Sequence, residues 1–88
     1  MRIKENYLLN KVLGKWVVVP VGIAGKKFRG MITLNESGVL LWRNLQKGCT
    51  REELVTALTD TYEVTEETAR QDVAEFLSAI EKTGCLEA

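Results

Sequence analysis

At 88 residues, 45% of them hydrophobic and 27% charged, the chain has the composition of one small globular domain, which excludes the disordered and membrane-spanning classes. Twelve Lys or Arg balance twelve Asp or Glu, and the absence of histidine leaves no imidazole to act as a catalytic base.

The opening residues, Met1-Arg2-Ile3-Lys4-Glu5-Asn6, carry neither an apolar export segment nor a small-residue cleavage site, so a cytoplasmic protein is expected. Two β-rich runs follow, Tyr7 to Leu13 and Trp16 to Val21, separated by the short hairpin signal Gly14-Lys15. The second is the longest apolar run and is far too short to cross a bilayer. Pro20 has no N–H, so that strand must finish at an edge, a bulge or its exit from the sheet. Gly22 to Gly30 reads as a glycine- and lysine-rich loop, and residues 30–34 as a third strand. Three strands make a small antiparallel sheet that needs cover on one face.

The rest of the chain supplies that cover. Asn35 is a good N-cap for a helix over residues 36–47, with Leu41, Trp42 and Leu45 at helical spacing and Gly48 as its stop. Thr50-Arg51-Glu52-Glu53 is a capping box opening a second helix over residues 51–62, whose inner face is Leu54, Leu58 and Tyr62. Thr65 begins a third over residues 66–83, with Ala69, Val73, Phe76, Leu77 and Ile80 as its stripe and Gly84 as its end. Strands followed by helices indicate an α+β fold: a three-stranded antiparallel sheet followed by three α-helices, winged-helix-like, in a single domain over residues 1–88.

A winged helix raises the possibility of DNA. The third helix, however, sets Glu66, Glu67, Asp72, Glu75 and Glu81 against Arg70, Gln71 and Lys82, and phosphates would repel it, so no nucleic-acid partner is expected. Charge is divided along the chain. Residues 1–51 hold ten Lys or Arg against Glu5 and Glu36, a balance of about +8, and residues 52–88 are about −8. Cys49 and Cys85 lie far apart with no CxxC spacing, which reads as two free thiols, not a metal site. The Gly22-x-x-Gly25 core joins two strands, unlike an RNA-clamping loop between helices, and the P-loop spacing fails. No catalytic residues, cofactor or membrane partner are expected.

Leu34-Asn35-x-x-Gly38-x-x-x-Trp42, Thr50-x-x-Glu53-Leu54, Tyr62-Glu63-Val64, Asp72-Val73-x-x-Phe76-Leu77 and Gly84 with Leu86 together resemble the PqqD-like family of peptide-recognition domains. The resemblance covers roughly Tyr7 to Glu87. It implies a non-catalytic module that captures the leader segment of a ribosomally made precursor peptide and presents it to a modifying enzyme, such as a radical SAM protein. It also implies where the leader lies: as an added strand along Arg29, Gly30, Met31, Ile32, Thr33 and Leu34, beside the third helix at Arg70, Val73, Ala74 and Leu77. The usual start of PqqD itself is missing from the N-terminal third, so the pyrroloquinoline quinone pathway does not follow. A chain ending at Ala88 is expected to stand free of its enzyme, as a monomer or weak homodimer.

Elementary chemistry supports the edge. Met31-Ile32-Thr33 has neither proline nor a charge run to blunt it, and a guest strand satisfies such an edge by β-augmentation. Ordering a flexible leader limits the affinity to a Kd on the order of 0.1–10 μM. A proline at Ile32 is expected to remove an edge N–H and weaken binding more than Lys4→Ala. The alternative is a winged-helix regulator or a structural domain that self-associates through the same edge.

Overall fold

The computed structural model describes residues 1–21 and 32–87. In chain order these form β1 (Arg2–Ile3), β2 (Tyr7–Val12), β3 (Lys15–Pro20), β4 (Ile32–Leu34), α1 (Glu36–Lys47), α2 (Arg51–Thr61), α3 (Glu66–Glu81) and β5 (Leu86–Glu87). The expected α+β order is present, with an antiparallel sheet ordered β2-β3-β4 followed by three helices. Arg29, Gly30 and Met31, and with them the start of the third expected strand, lie outside the described residues.

The β2–β3 hairpin sets the register of everything beside it. Its loop is Leu13-Gly14, not Gly14-Lys15, because Lys15 already pairs with Val12. Both loop residues have positive φ, 50° and 78°, as a type I′ turn requires. A left-handed leucine is strained by roughly 1–2 kcal/mol, and Leu13 is 97% exposed, so packing offers no compensation. Leu13→Asn, which creates the Asn-Gly pair such turns prefer, is expected to stabilise the domain by about 1 kcal/mol. Thermal unfolding should then rise by roughly 4–8 °C.

A two-residue turn closes on a hydrogen-bonded pair, so Val12 and Lys15 point their backbone groups at each other, and the alternation continues through Asn10 with Val17 and Leu8 with Val19. The Val21 N–H donating to the Asn6 carbonyl at 2.8 Å keeps the same parity. Trp16, Val18 and Pro20 therefore turn their backbone groups toward β4. The missing N–H of Pro20 costs nothing against β2, and the residue ends the central strand, the sheet exit anticipated for it.

The β4–α1 junction is tight for a local reason. The Asn35 side chain caps α1 by accepting from the Gly38 N–H at 2.8 Å. A Cβ at Gly38 would lie 3.1 Å from Asn35 Oδ1 and 3.3 Å from Leu34 Cβ, so a hydrogen there lets the helix start against the strand. The Thr50–Glu53 capping box opens α2 and Thr65 caps α3, both as the sequence indicates. α3 stops at Glu81, short of residue 83, where the chain tightens into Thr83–Gly84, with Gly84 at φ 76°.

The core lies between helices and sheet. Trp42, Leu45, Leu54, Leu58, Val73 and Ile80 are fully buried together, and Val18 contributes from the sheet. One element escaped the sequence reading: β1 pairs antiparallel with β5, Ile3 opposite Leu86, and joins the two ends of the chain. Both cysteines are free. Burial raises both thiol pKa values, and the Cys85 thiol donates to the Ile80 carbonyl at 3.3 Å. Among the described residues no helix is long and apolar enough to cross a membrane.

Candidate functional site

β4 is an outer strand, and the hairpin parity decides which of its residues faces outward. Ile32 and Leu34 pair with Val18 and Trp16, whose backbone groups point at β4, so Ile32 and Leu34 spend theirs on the ladder. Thr33, opposite Val17, turns its N–H and C=O away from the sheet. Among the described residues neither group has a backbone partner. The expectation that Ile32 supplies an edge N–H is therefore corrected: that N–H belongs to the pairing with Val18, and Thr33 is the free position. Side chains alternate the other way, with Leu34 buried and Ile32 half-buried toward the core and Thr33 exposed.

Beside the end of β4 lies a groove of about 350 Å³ lined by Asn35, Glu36, Ser37, Leu58, Tyr62, Val64 and Asp72. Its floor is apolar: Leu58 is fully buried, and Tyr62 and Val64 pack half-buried against the core. α1 begins one wall and Asp72 of α3 forms another. A strand edge with free backbone groups thus opens beside an apolar slot, an arrangement suited to an extended chain that inserts one or two apolar side chains.

The residues expected on α3 are distributed differently. At about 100° per residue, Ala69, Val73, Leu77 and Ile80 make one stripe, and all four are buried. Val73 and Leu77 are thus core, and present no surface to a guest. Arg70 and exposed Ala74 lie on one flank of the stripe, Asp72 and half-buried Phe76 on the other. Only the Asp72 flank reaches the groove. Neither Asp72 nor the Leu58, Tyr62 and Val64 floor was singled out from sequence as a binding position, although the Tyr62-Glu63-Val64 run was visible.

Arg70 is committed elsewhere. Its guanidinium donates twice to Glu52 of α2, at 2.6 and 2.8 Å, and once to Glu66 at 2.6 Å. These bonds hold the Glu52 carboxyl below the ordinary carboxylate range and raise the arginine further. Because the folded pKa of Glu52 is depressed, the pair's contribution is present above the unfolded value of about 4.3 and lost as pH falls through the lower folded value. The melting-temperature difference between the native chain and Arg70→Gln is therefore expected to shrink as pH drops from about 6 to about 3, and to shrink with salt at neutral pH. Among the described residues no group of three or more His, Cys, Asp or Glu is placed to hold a metal ion.

Residues 16–86 match the family profile described as coenzyme PQQ synthesis protein D, PqqD. No curated protein matches the chain. Two solved structures share the fold. One is TbiB1 in complex with the TbiA(beta) leader peptide, at TM-score 0.78 and 24% identity over 100% of this chain and 96% of that one. The other is lasso peptide synthetase B1 complexed with the leader peptide, at TM-score 0.75 and 21% identity over 99% of this chain and 96% of that one. With β4, the three helices, nearly all of β3 and most of the sequence spanned by one family profile, the chain belongs to the PqqD family.

Proposed function

We propose that this chain is a non-catalytic recognition module: it binds the leader segment of a ribosomally synthesised precursor peptide and presents the peptide to a modifying enzyme. The observation that carries the reading is the outward N–H and C=O of Thr33 on an edge strand that opens beside the apolar groove. The family membership and the leader complexes of the two structural neighbours support it.

In this reading the leader completes the sheet as a strand along Ile32–Leu34. Its ladder begins with both backbone bonds to Thr33, and an apolar leader side chain enters the slot over Leu58, Tyr62 and Val64. Phe76 lies one turn beyond Asp72 on the same flank of α3, half-buried against the core. Glu36 and Asp72 at the rim disfavour a carboxylate at that point of the leader, so the slot selects against acidic side chains. Binding by backbone ladder and slot leaves the core segment of the precursor free for a separate enzyme.

The family resemblance suggests a radical SAM enzyme as that partner. A second reading takes the modifying machinery to be that of a lasso peptide, because one structural neighbour is a lasso peptide synthetase B1. Calorimetric titration with the leader half of the cognate precursor tests the central reading. A one-to-one complex with Kd on the order of 0.1–10 μM is expected, and exchanging the apolar slot residue of the leader for aspartate should weaken it at least about tenfold, or 1.4 kcal/mol. No heat and no chemical-shift change with the leader would overturn the reading.

A further inference from the structure

β4 is not the sheet's only outer strand. The order β2-β3-β4 puts β2 on the opposite side. The parity that turns Asn10 and Leu8 inward turns Tyr7, Leu9 and Lys11 outward. Among the described residues none of these three has a backbone partner on that side. β2 thus offers three alternating outward residues, where the described part of β4 offers one.

Long, open edges are normally blunted by proline, a bulge or lysines standing over the ladder. β2 has neither proline nor bulge. Its single lysine, Lys11, lies over the Trp16 ring, with Nζ 5.6 Å from the centroid. Leu8 and Val12, on the face away from the helices, are each 51% exposed. The strand keeps an apolar surface and an available ladder together.

The cleft between this edge and α1 carries charge of one sign, and the neighbouring cleft past Tyr7 holds Arg2 and Lys4 with Glu5 and Glu87. A cleft of about 550 Å³ separates β2 from α1, lined by Tyr7, Leu8, Leu9, Arg43, Gln46 and Lys47. Arg43 sits 5.3 Å from the Trp16 centroid, on the same ring as Lys11. The ion pairs among the described residues both belong to Arg70, so Arg43 and Lys47 face the cleft with no carboxylate bound. The β4 groove is rimmed by Glu36 and Asp72, while the cleft that Thr33 itself lines holds Lys11, Lys15 and Glu36.

We infer that the outer edge of β2 is a second β-augmentation site, and that its occupant is an extended, carboxylate-rich segment of a partner protein. Backbone groups of the guest pair with Tyr7, Leu9 and Lys11, and its carboxylates lie along Arg43 and Lys47. A second copy of this chain is the poorer occupant, since pairing two β2 edges brings both sets of cations together. The two edges lie on opposite sides of the sheet, so both can be filled at once. The inference stands apart from the leader reading.

The test uses the full chain, isotopically labelled, and a capped octapeptide alternating valine and glutamate. The expected result is saturable shifts of the Tyr7, Leu9, Lys11, Arg43 and Lys47 amides with Thr33 unmoved. Affinity should fall at least about tenfold in the surface double variant R43E/K47E, and binding should be lost when alternate peptide residues are N-methylated. A lysine-for-glutamate peptide that binds equally well would overturn the inference. So would shifts confined to the Thr33 edge, an absence of shifts at β2, or sedimentation showing the unliganded chain paired through β2. Shifts confined to the Thr33 edge would show that β4 accepts an extended chain, and the other results leave leader binding at β4 untouched.

Discussion

Thr33→Pro is expected to lower leader affinity by about 10- to 100-fold while leaving the fold nearly intact. The Thr33 N–H points away from β3, so proline removes no ladder bond within the sheet, and an edge position with its N–H side toward solvent is where strands tolerate proline. Ile32 before it is already extended, as a residue preceding proline must be. In the complex the same change removes a donor and leaves a guest carbonyl unpaired, a loss of about 1–3 kcal/mol. Thr33→Ala keeps the N–H and should bind close to normally. Ile32→Pro makes the opposite comparison, because its N–H faces Val18 and its loss should lower the melting temperature. Titration and thermal unfolding on the three variants separate recognition from folding.

Trp42→Ala is expected to remove roughly half of the domain's stability. Trp42 is fully buried at the centre of the core, and truncating such a side chain costs about 3–5 kcal/mol. A domain of this length has on the order of 5–10 kcal/mol in total. Trp42 Nε1 is also a buried donor without a hydrogen-bond partner among the described residues. Trp42→Phe should therefore be much milder than Trp42→Ala, since it removes that unpaired donor while keeping most of the ring contacts. Denaturant unfolding of the two variants checks this. A loss for Trp42→Phe as large as that for Trp42→Ala would contradict this.

The features legible in sequence were those with local causes. Asn35, Thr50 and Thr65 announced their helices because a cap is a contact across three residues, and all three cap as read. The buried stripe of α3 was legible for the same reason, being a repeat on one cylinder. The flank of that stripe turned toward β4 was not, because it depends on how α3 packs against α1 and α2. Arg70 was attractive as a cation, but its carboxylate partner Glu52 is supplied by another helix. β1 and β5 are two residues each, too short for any periodic signal.

The hairpin shows how a small misreading propagates. Placing the turn at Leu13-Gly14 instead of Gly14-Lys15 moves the turn by one residue and each cross-strand partner by two, so that Val12 faces Lys15 and not Val17, and it reverses which backbone groups of β2 and β3 point at one another. Carried through the pairing of β3 with β4, the same parity makes Thr33 and not Ile32 the outward residue. The open edge of β2 became visible for the same reason, once Tyr7, Leu9 and Lys11 were known to face outward. The location of the candidate strand was available from its residues, and the identity of its binding atoms was not.

Amide hydrogen exchange at Thr33, measured by NMR with and without saturating leader peptide, tests the central claim most directly. The Thr33 amide is expected to exchange freely alone and to become protected in the complex, with Asp72 and Phe76 shifting alongside it. A leader that saturates the chain while the Thr33 amide keeps its free exchange rate would contradict strand addition at β4.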